Sequence, residues 1–406
     1  MYIQRQIQSV LNTLITQFPA VLITGPHQVG KSTLLKHCAP EYHYLSFDDP
    51  MLLDLAKTDG TLFFLNHAGK LILDEVQYVP ELFPLLKLQI DRQQQNGLFL
   101  LSGSQSFELM KNVHESLAGR IAILKLQGLS LREMQNISFK RAFIPDAGYL
   151  TAREQEWQPV SDIWQVIHRG YMPRLHEQEV DWQMYYASYV ATYIERDVRQ
   201  ITNIASHTDF MRFMVAVAAR SGELLNYSGV AQDVGVSVDT IKRWLDVLRT
   251  SNIVYLVQPY SNNHLKRAIK TPKLYFLDTG LMAYLTKWLT PETIRSGAKS
   301  GQFFETFAVS EIIKSFYNQG IEPPVYYYRD TNQKEIDLVI EYNRTLYPIE
   351  IKSTAAPNKK MAKNFDILRN TLPESEIGIA HGTIINQYPQ KLWLAENLIA
   401  LPISYL

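Results

Sequence analysis

The chain has a single cysteine, Cys38. One thiol excludes an intramolecular disulfide framework and a cysteine-rich zinc module, and it fits a reducing compartment. An excess of one charge is also missing: 40 Lys and Arg balance 40 Asp and Glu. Any affinity for nucleic acid must therefore come from a local basic patch. No run reaches the ~18 uninterrupted apolar residues of a membrane span, so no membrane partner is expected. The segment MYIQRQIQSVLNTLITQF is apolar at Ile3, Ile7, Val10, Leu11, Leu14 and Ile15 with polar residues between. That is helical spacing rather than a signal-peptide run, and a cytoplasmic protein is expected. Internal repeats and low-complexity tracts are absent too. What remains is ordinary globular composition, 46% apolar and 20% charged, in a chain too long for one core at ~150 residues per domain.

Between residues 20 and 135, the apolar runs AVLITG, YLSFDD, KLILDEVQ and GLFLLSGS alternate with helix-length segments. This order predicts βαβ units around a parallel sheet, an α/β domain over residues 1–150. Residues 144–160 turn polar, with Pro145, Asp146, Gly148 and Pro159, and read as a loop or linker. A largely helical unit over 151–295 and a third unit over 296–406 follow. The third opens on the helix GQFFETFAVSEIIKSFYNQ and continues through the strands VYYYR, EIDLVIEY and LYPIEIK.

The first apolar run leads into GPHQVGKS, which fits the phosphate-loop pattern G-x-x-x-x-G-K-[ST] between a strand and a helix. Gly25 and Gly30 permit a tight wrap in which the amides of Gly25, Pro26, His27, Gln28, Val29, Gly30, Lys31, Ser32 and Thr33, proline excepted, surround phosphate oxygens at a helix N-terminus. Lys31 is expected on the β- and γ-phosphates of ATP and Ser32 on Mg²⁺. In KLILDEVQ, Asp74 and Glu75 stand at the carboxyl end of a strand, where α/β sheets place ligands. Asp74 would hold the Mg²⁺ shell, and Glu75 would orient or deprotonate the attacking water. GLFLLSGS ends in Ser102 and Ser104, either a γ-phosphate sensor or ordinary turn serines. Arg120 in ESLAGR is either an arginine finger, acting in cis or across a subunit boundary of a homo-oligomer, or a surface arginine.

Through these segments, and through SLAGRI, YIERDV and KLYFLDTGL, the chain resembles bacterial and archaeal AAA-type ATPases that carry an uncharacterised C-terminal domain. The resemblance implies an ATP-binding, AAA-like parallel sheet followed by a winged-helix part and a C-terminal part. One departure is visible: His27 stands where the family commonly has arginine in the loop.

Residues 224–250 fit a helix, a turn at Gly235 to Ser237, and a second helix from Val238 or Asp239, packed through Val230, Val234, Val236, Ile241, Leu245 and Leu248. IVYLVQPY could form a wing. In a DNA-binding version the second helix presents Thr240, Lys242 and Arg243 to the major groove. From Val247 to Leu277 there are five basic residues, Arg249, Lys266, Arg267, Lys270 and Lys273, and no acid. Double-stranded DNA is thus a candidate partner through Lys242, Arg243, Lys266, Arg267 and Lys270; a lid or oligomer contact is the alternative.

In the third unit Asp337, Glu350 and Lys352 fall on successive strands, with Glu350 and Lys352 on one face and Glu305 on the preceding helix. Asp337 and Glu350 are candidate Mg²⁺ ligands; with Glu305 and Lys352 they could also work on a phosphodiester, unless they are only charges on a solvated face. The acid, spacer, acid-x-lysine order resembles the PD-(D/E)xK nuclease superfamily and implies a restriction-endonuclease-like α/β domain.

The expectation is an ATP-hydrolysing switch that acts on DNA. An ATP-gated Mg²⁺-dependent endonuclease and a scaffold ATPase that recruits a protein are the alternatives.

Overall fold

The computed structural model describes residues 2–103, 107–194, 207–261, 271–330, 332–371 and 377–406. Five short runs form a parallel sheet: β1 (Ala20–Thr24), β2 (His43–Ser46), β3 (Leu71–Asp74), β4 (Phe99–Gly103) and β5 (Ile121–Lys125), in the order β2-β3-β4-β1-β5. Every residue of β1, β3 and β4 is buried, as expected of continuous apolar runs in a sheet covered on both faces. Because the strands are parallel, Thr24, Asp74 and Gly103 emerge at one edge of the sheet. The helix Lys31–Cys38 starts there, directly after the phosphate loop.

Alternation along β1 distributes its side chains to two cores. Ala20 and Leu22 join Leu82, Leu86 and Ile90 on one face. Val21 and Ile23 join a cluster running from Ile7 and Leu11 through Trp164, Phe213 and Leu245 to Ile385 and Leu406. The three stretches of chain therefore share one large apolar core. The segment 144–160 is not a linker: Asp146 caps a helix, Ala147–Glu156, by accepting from the Tyr149 amide at 2.6 Å. Its buried residues tie down the end of the chain, with Tyr149 donating to the Tyr405 carbonyl at 2.7 Å and Arg153 to that of Ser404 at 2.7 Å. Local polarity suggested a loop; the cap and the long-range bonds override it.

The middle unit contains the two expected helices about a tight turn. The helix Tyr227–Val234 ends at Gly235, whose φ of 84° places it in the left-handed region, and Ser237 caps the helix Val238–Thr250. After these helices β6 (Val254–Pro259) pairs with β7 (Lys273–Phe276) in antiparallel fashion. Lys266, Arg267 and Lys270 lie outside the described residues. Beyond Val257, β6 also pairs in parallel with β8 (Val325–Arg329), so this strand pair is continuous with the C-terminal sheet.

That second sheet has nine strands, ordered β13-β14-β12-β10-β9-β8-β6-β7 with the short β11 (Gly378–Ile379) beside β10. β9 (Glu335–Tyr342) and β10 (Thr345–Ile351) form a hairpin whose turn residues Asn343 and Arg344 both have positive φ, the twist-matched two-residue form. The helix Ser300–Tyr317 is almost wholly buried and packs against β7 and β10. The end of the chain holds more strand than its sequence suggests: β12 (Gly382–Asn386), β13 (Leu392–Ala395) and β14 (Leu398–Pro402) complete the sheet.

Candidate nucleotide-binding site and the C-terminal acidic cluster

The loop Gly25–Ser32 closes over the carboxyl ends of β1, β3 and β4. A Cβ at Gly25 would lie 2.0 Å from the Leu126 carbonyl oxygen, and Gly30 has a φ of 91°, so both positions need glycine. Gln28 also has positive φ, and its side chain accepts from the Tyr185 hydroxyl at 2.9 Å. Lys31 is 5% exposed, and its ammonium donates to the carbonyls of Gly25 and Pro26, each at 3.0 Å. The first amides of the helix after it have no intrahelical acceptor and point toward the loop.

Asp74 is the hub of the site. Its Oδ2 accepts from Ser32 Oγ and from Tyr44 Oη, both at 2.6 Å, while its Oδ1 accepts from the buried Ser102 hydroxyl and from the Glu75 amide at 3.1 Å. Burial and the bond to Asp74 push the Tyr44 phenol up, which keeps it a donor. Glu75 has a φ of 59° and accepts from the Gln77 amide group. A non-glycine residue held in that region is worth explaining by function.

A cavity of about 440 Å³ runs along the loop. It is lined by His27, Lys31, Ser32, Thr33 and Glu75, by Tyr2 and Ile3 from the start of the chain, and by Pro173, Arg174 and Glu177 from the middle unit. Arg5 also lines the cavity and braces the loop, donating to the carbonyls of Val29 at 2.8 Å and Gln127 at 2.7 Å and pairing with Glu133 at 3.1 Å. Tyr44, Arg5 and Arg174 escaped the sequence reading because no fixed spacing ties them to the loop.

The sites of three sequence-predicted residues need comment. Ser102 is buried beside Asp74 and donates to it, whereas Ser104 is outside the described residues. Arg120 precedes β5 and therefore sits at the amino edge of the sheet, ~16 Å from the nucleotide edge at ~3.3 Å per residue. There it pairs with Asp91 at 2.7 Å. An arginine finger acting in cis from Arg120 is excluded by that placement; Arg5 and Arg174 are the arginines that line the cavity.

On the exposed face of the helix Val238–Thr250, Lys242 pairs with Asp239 at 3.6 Å and Arg249 with Asp246 at 3.2 Å. Arg243 stands beside Thr240 at 3.5 Å. Lys273 belongs to no surface patch. It is 3% exposed, within 2.5 Å of Glu335 and 3.6 Å of Glu305. Its strand β7 is buried because β6 and β7 are part of the second sheet.

The acids of that sheet converge. Asp337 Oδ2 accepts from the Ile351 amide at 2.8 Å and from Lys352 Nζ at 2.9 Å, and Lys352 also meets Glu350 at 2.5 Å. Tyr275 Oη donates to Glu305 at 2.6 Å. Burial first, then the Asp337 charge, push Glu350 up to about 9 and also raise Glu305. Burial opposes ionisation of Asp337 as well, but Lys352 and Lys273 hold it below the usual carboxylate range. Among the described residues no group of three or more acidic, histidine or cysteine side chains is arranged to hold a metal ion, and no helix is long and apolar enough to cross a membrane.

The sheet order, glycine loop, buried lysine and Asp74 hub are those of a P-loop NTPase fold. In agreement, residues 17–135 match the AAA domain family (AAA_14). Residues 160–292 and 300–406 match two domains of unknown function, DUF8612 and DUF4143. The chain is similar to an uncharacterised protein of Mycobacterium tuberculosis, 26% identical over 98% of this chain and 83% of that protein. It is also similar to an uncharacterised protein of Methanocaldococcus jannaschii, 22% identical over 63% of this chain and 60% of that one. Similar solved structures include the Walker-type ATPase of Pyrococcus abyssi, with a TM-score of 0.40 and 15% identity over 69% of this chain and 94% of that one. Thermotoga maritima RuvB has a TM-score of 0.30 and 17% identity over 61% of this chain and 88% of its own.

Proposed function

We propose that the protein is an ATP-hydrolysing switch whose nucleotide state is read by its winged-helix and C-terminal units, with double-stranded DNA as the bound partner. The observation that carries this reading is that Lys31, Ser32 and Glu75, with Asp74 bonded to Ser32, line a cavity whose walls come from both the ATPase sheet and the middle unit. The residues suit a magnesium nucleotide: a loop too tight for a Cβ at Gly25, a buried ammonium, helix amides facing outward, and a hydroxyl beside a carboxylate. Magnesium bound by Ser32 and Asp74 would neutralise phosphate charge. Lys31 binds the phosphates, Asp74 orients the Ser32 hydroxyl, and Glu75 is placed to accept a proton from water. Arg174, Pro173 and Glu177 let the middle unit sense what the loop holds, and Gln28 with Tyr185 makes a second link.

The test of nucleotide chemistry is saturable binding of a fluorescent ATP analogue and phosphate release by the full chain, both lost in Lys31→Ala. Binding that survives this substitution overturns the reading. For the partner, the exposed Lys242 and Arg243 support DNA, whereas the acids Asp239 and Asp246 interleaved with them favour a protein partner instead. A gel shift with duplex DNA that weakens as salt rises and is lost in Lys242→Ala/Arg243→Ala supports DNA. A shift absent at low salt leaves the scaffold reading.

A further inference from the structure

The C-terminal acids resemble a metal-dependent phosphodiester site in sequence, but their surroundings differ from one in a way that depends on a residue far away in the chain. Hard divalent cations need several oxygen ligands free to turn toward a single point. Here two ammonium groups already occupy the spaces between the carboxylates. Lys352 lies between Asp337 and Glu350, at 2.9 and 2.5 Å. Lys273 lies between Glu305 and Glu335, at 3.6 and 2.5 Å, with a side chain only 4% exposed. Asp337 spends one oxygen on the Ile351 amide as well as on Lys352, and Glu305 spends one on Tyr275.

Lys273 and Tyr275 both come from β7, the partner of β6, while Glu305 belongs to the helix Ser300–Tyr317 and Glu335 to β9. The ion pairs therefore join the β6–β7 pair to the C-terminal unit at a buried place. Separating them would leave the Lys273 ammonium without a carboxylate in a low-dielectric interior, a far larger cost than losing a surface pair.

We propose that Lys273 is the resident cation of this acidic cluster: it locks the β6–β7 pair to the C-terminal unit as one body and leaves no place there for a divalent ion. The β6–β7 pair and the C-terminal unit then move together in response to the ATPase domain, rather than hinging between β7 and the helix Ser300–Tyr317. This holds whether or not the protein hydrolyses ATP.

Two measurements on the full chain without nucleotide test it. In a Mn²⁺ titration followed by electron paramagnetic resonance, wild type is expected to show no uptake that Glu305→Gln or Asp337→Asn removes. One saturable ion per chain, lost in either variant, would overturn the proposal. In hydrogen exchange, Lys273→Met is expected to speed exchange of residues 273–276 and of the first turns of the helix Ser300–Tyr317 by at least about tenfold. Lys273→Arg should keep wild-type protection. If Lys273→Met is folded and exchanges like wild type, the lock does not exist. If it does not fold, the Mn²⁺ titration and the Lys273→Arg variant still decide.

Discussion

The Ser32 hydroxyl donates to Asp74 at 2.6 Å, joining the first turn of the helix after the phosphate loop to the end of β3 across an intervening strand. That strand is β4, and its Ser102 fills the gap by donating to the other Asp74 oxygen. The pair Ser32 and Asp74 is thus positioned by a third residue that is wholly buried.

Ser102→Ala removes that support and leaves Asp74 Oδ1 short of a partner in a buried setting, a cost of ~1–3 kcal/mol. The expected outcome is a loss of turnover of about tenfold or more with little change in nucleotide affinity, measured by steady-state phosphate release beside equilibrium binding. An unchanged turnover number would mean that Asp74 keeps its orientation without the serine.

The two arginines should separate cleanly. Arg174→Ala is expected to weaken binding of a fluorescent ATP analogue several-fold, because Arg174 lines the cavity. Arg120→Ala should leave binding by a single chain unchanged, because its side chain faces Asp91 at the opposite edge of the sheet. If Arg120→Ala lowers hydrolysis only at protein concentrations where the chain self-associates, Arg120 acts across a subunit boundary.

Arg5 is buried with Glu133, and the two also hold the Val29 carbonyl and the Gln6 amide. Removing one partner of such a pair costs ~3–5 kcal/mol. Arg5→Ala should lower the denaturant midpoint markedly and weaken nucleotide binding through the loosened loop. A midpoint equal to wild type would show that the pair contributes nothing.

Burial pushes the Cys38 thiol up to about 11. A raised value means less thiolate at neutral pH, so labelling by iodoacetamide in the native state is expected to be slow at pH 7–8 and to accelerate only as pH approaches 11. In denaturant the rate should rise at pH 8, where an exposed thiol ionises more readily. Fast native labelling at pH 7 would contradict the burial.

The sequence by itself determined the local parts. GPHQVGKS between an apolar strand and a helix declares a phosphate loop because glycine positions, lysine and serine all lie within eight residues, and the acid pair after LIL marks a strand end. The two helices about Gly235 and the hairpin about Asn343–Arg344 were equally legible, since caps and turns are set by neighbours. Only the tertiary structure decided what lies between distant segments. It set Arg120 at the wrong edge for its own nucleotide and Arg174 at the cavity, and it made a capped helix of a polar stretch. It also turned Lys273 from one cation in a basic run into the buried partner of Glu305 and Glu335. The physical reason is that charge and polarity are read along the chain, whereas an ion's partner is whatever the fold brings within a few ångströms.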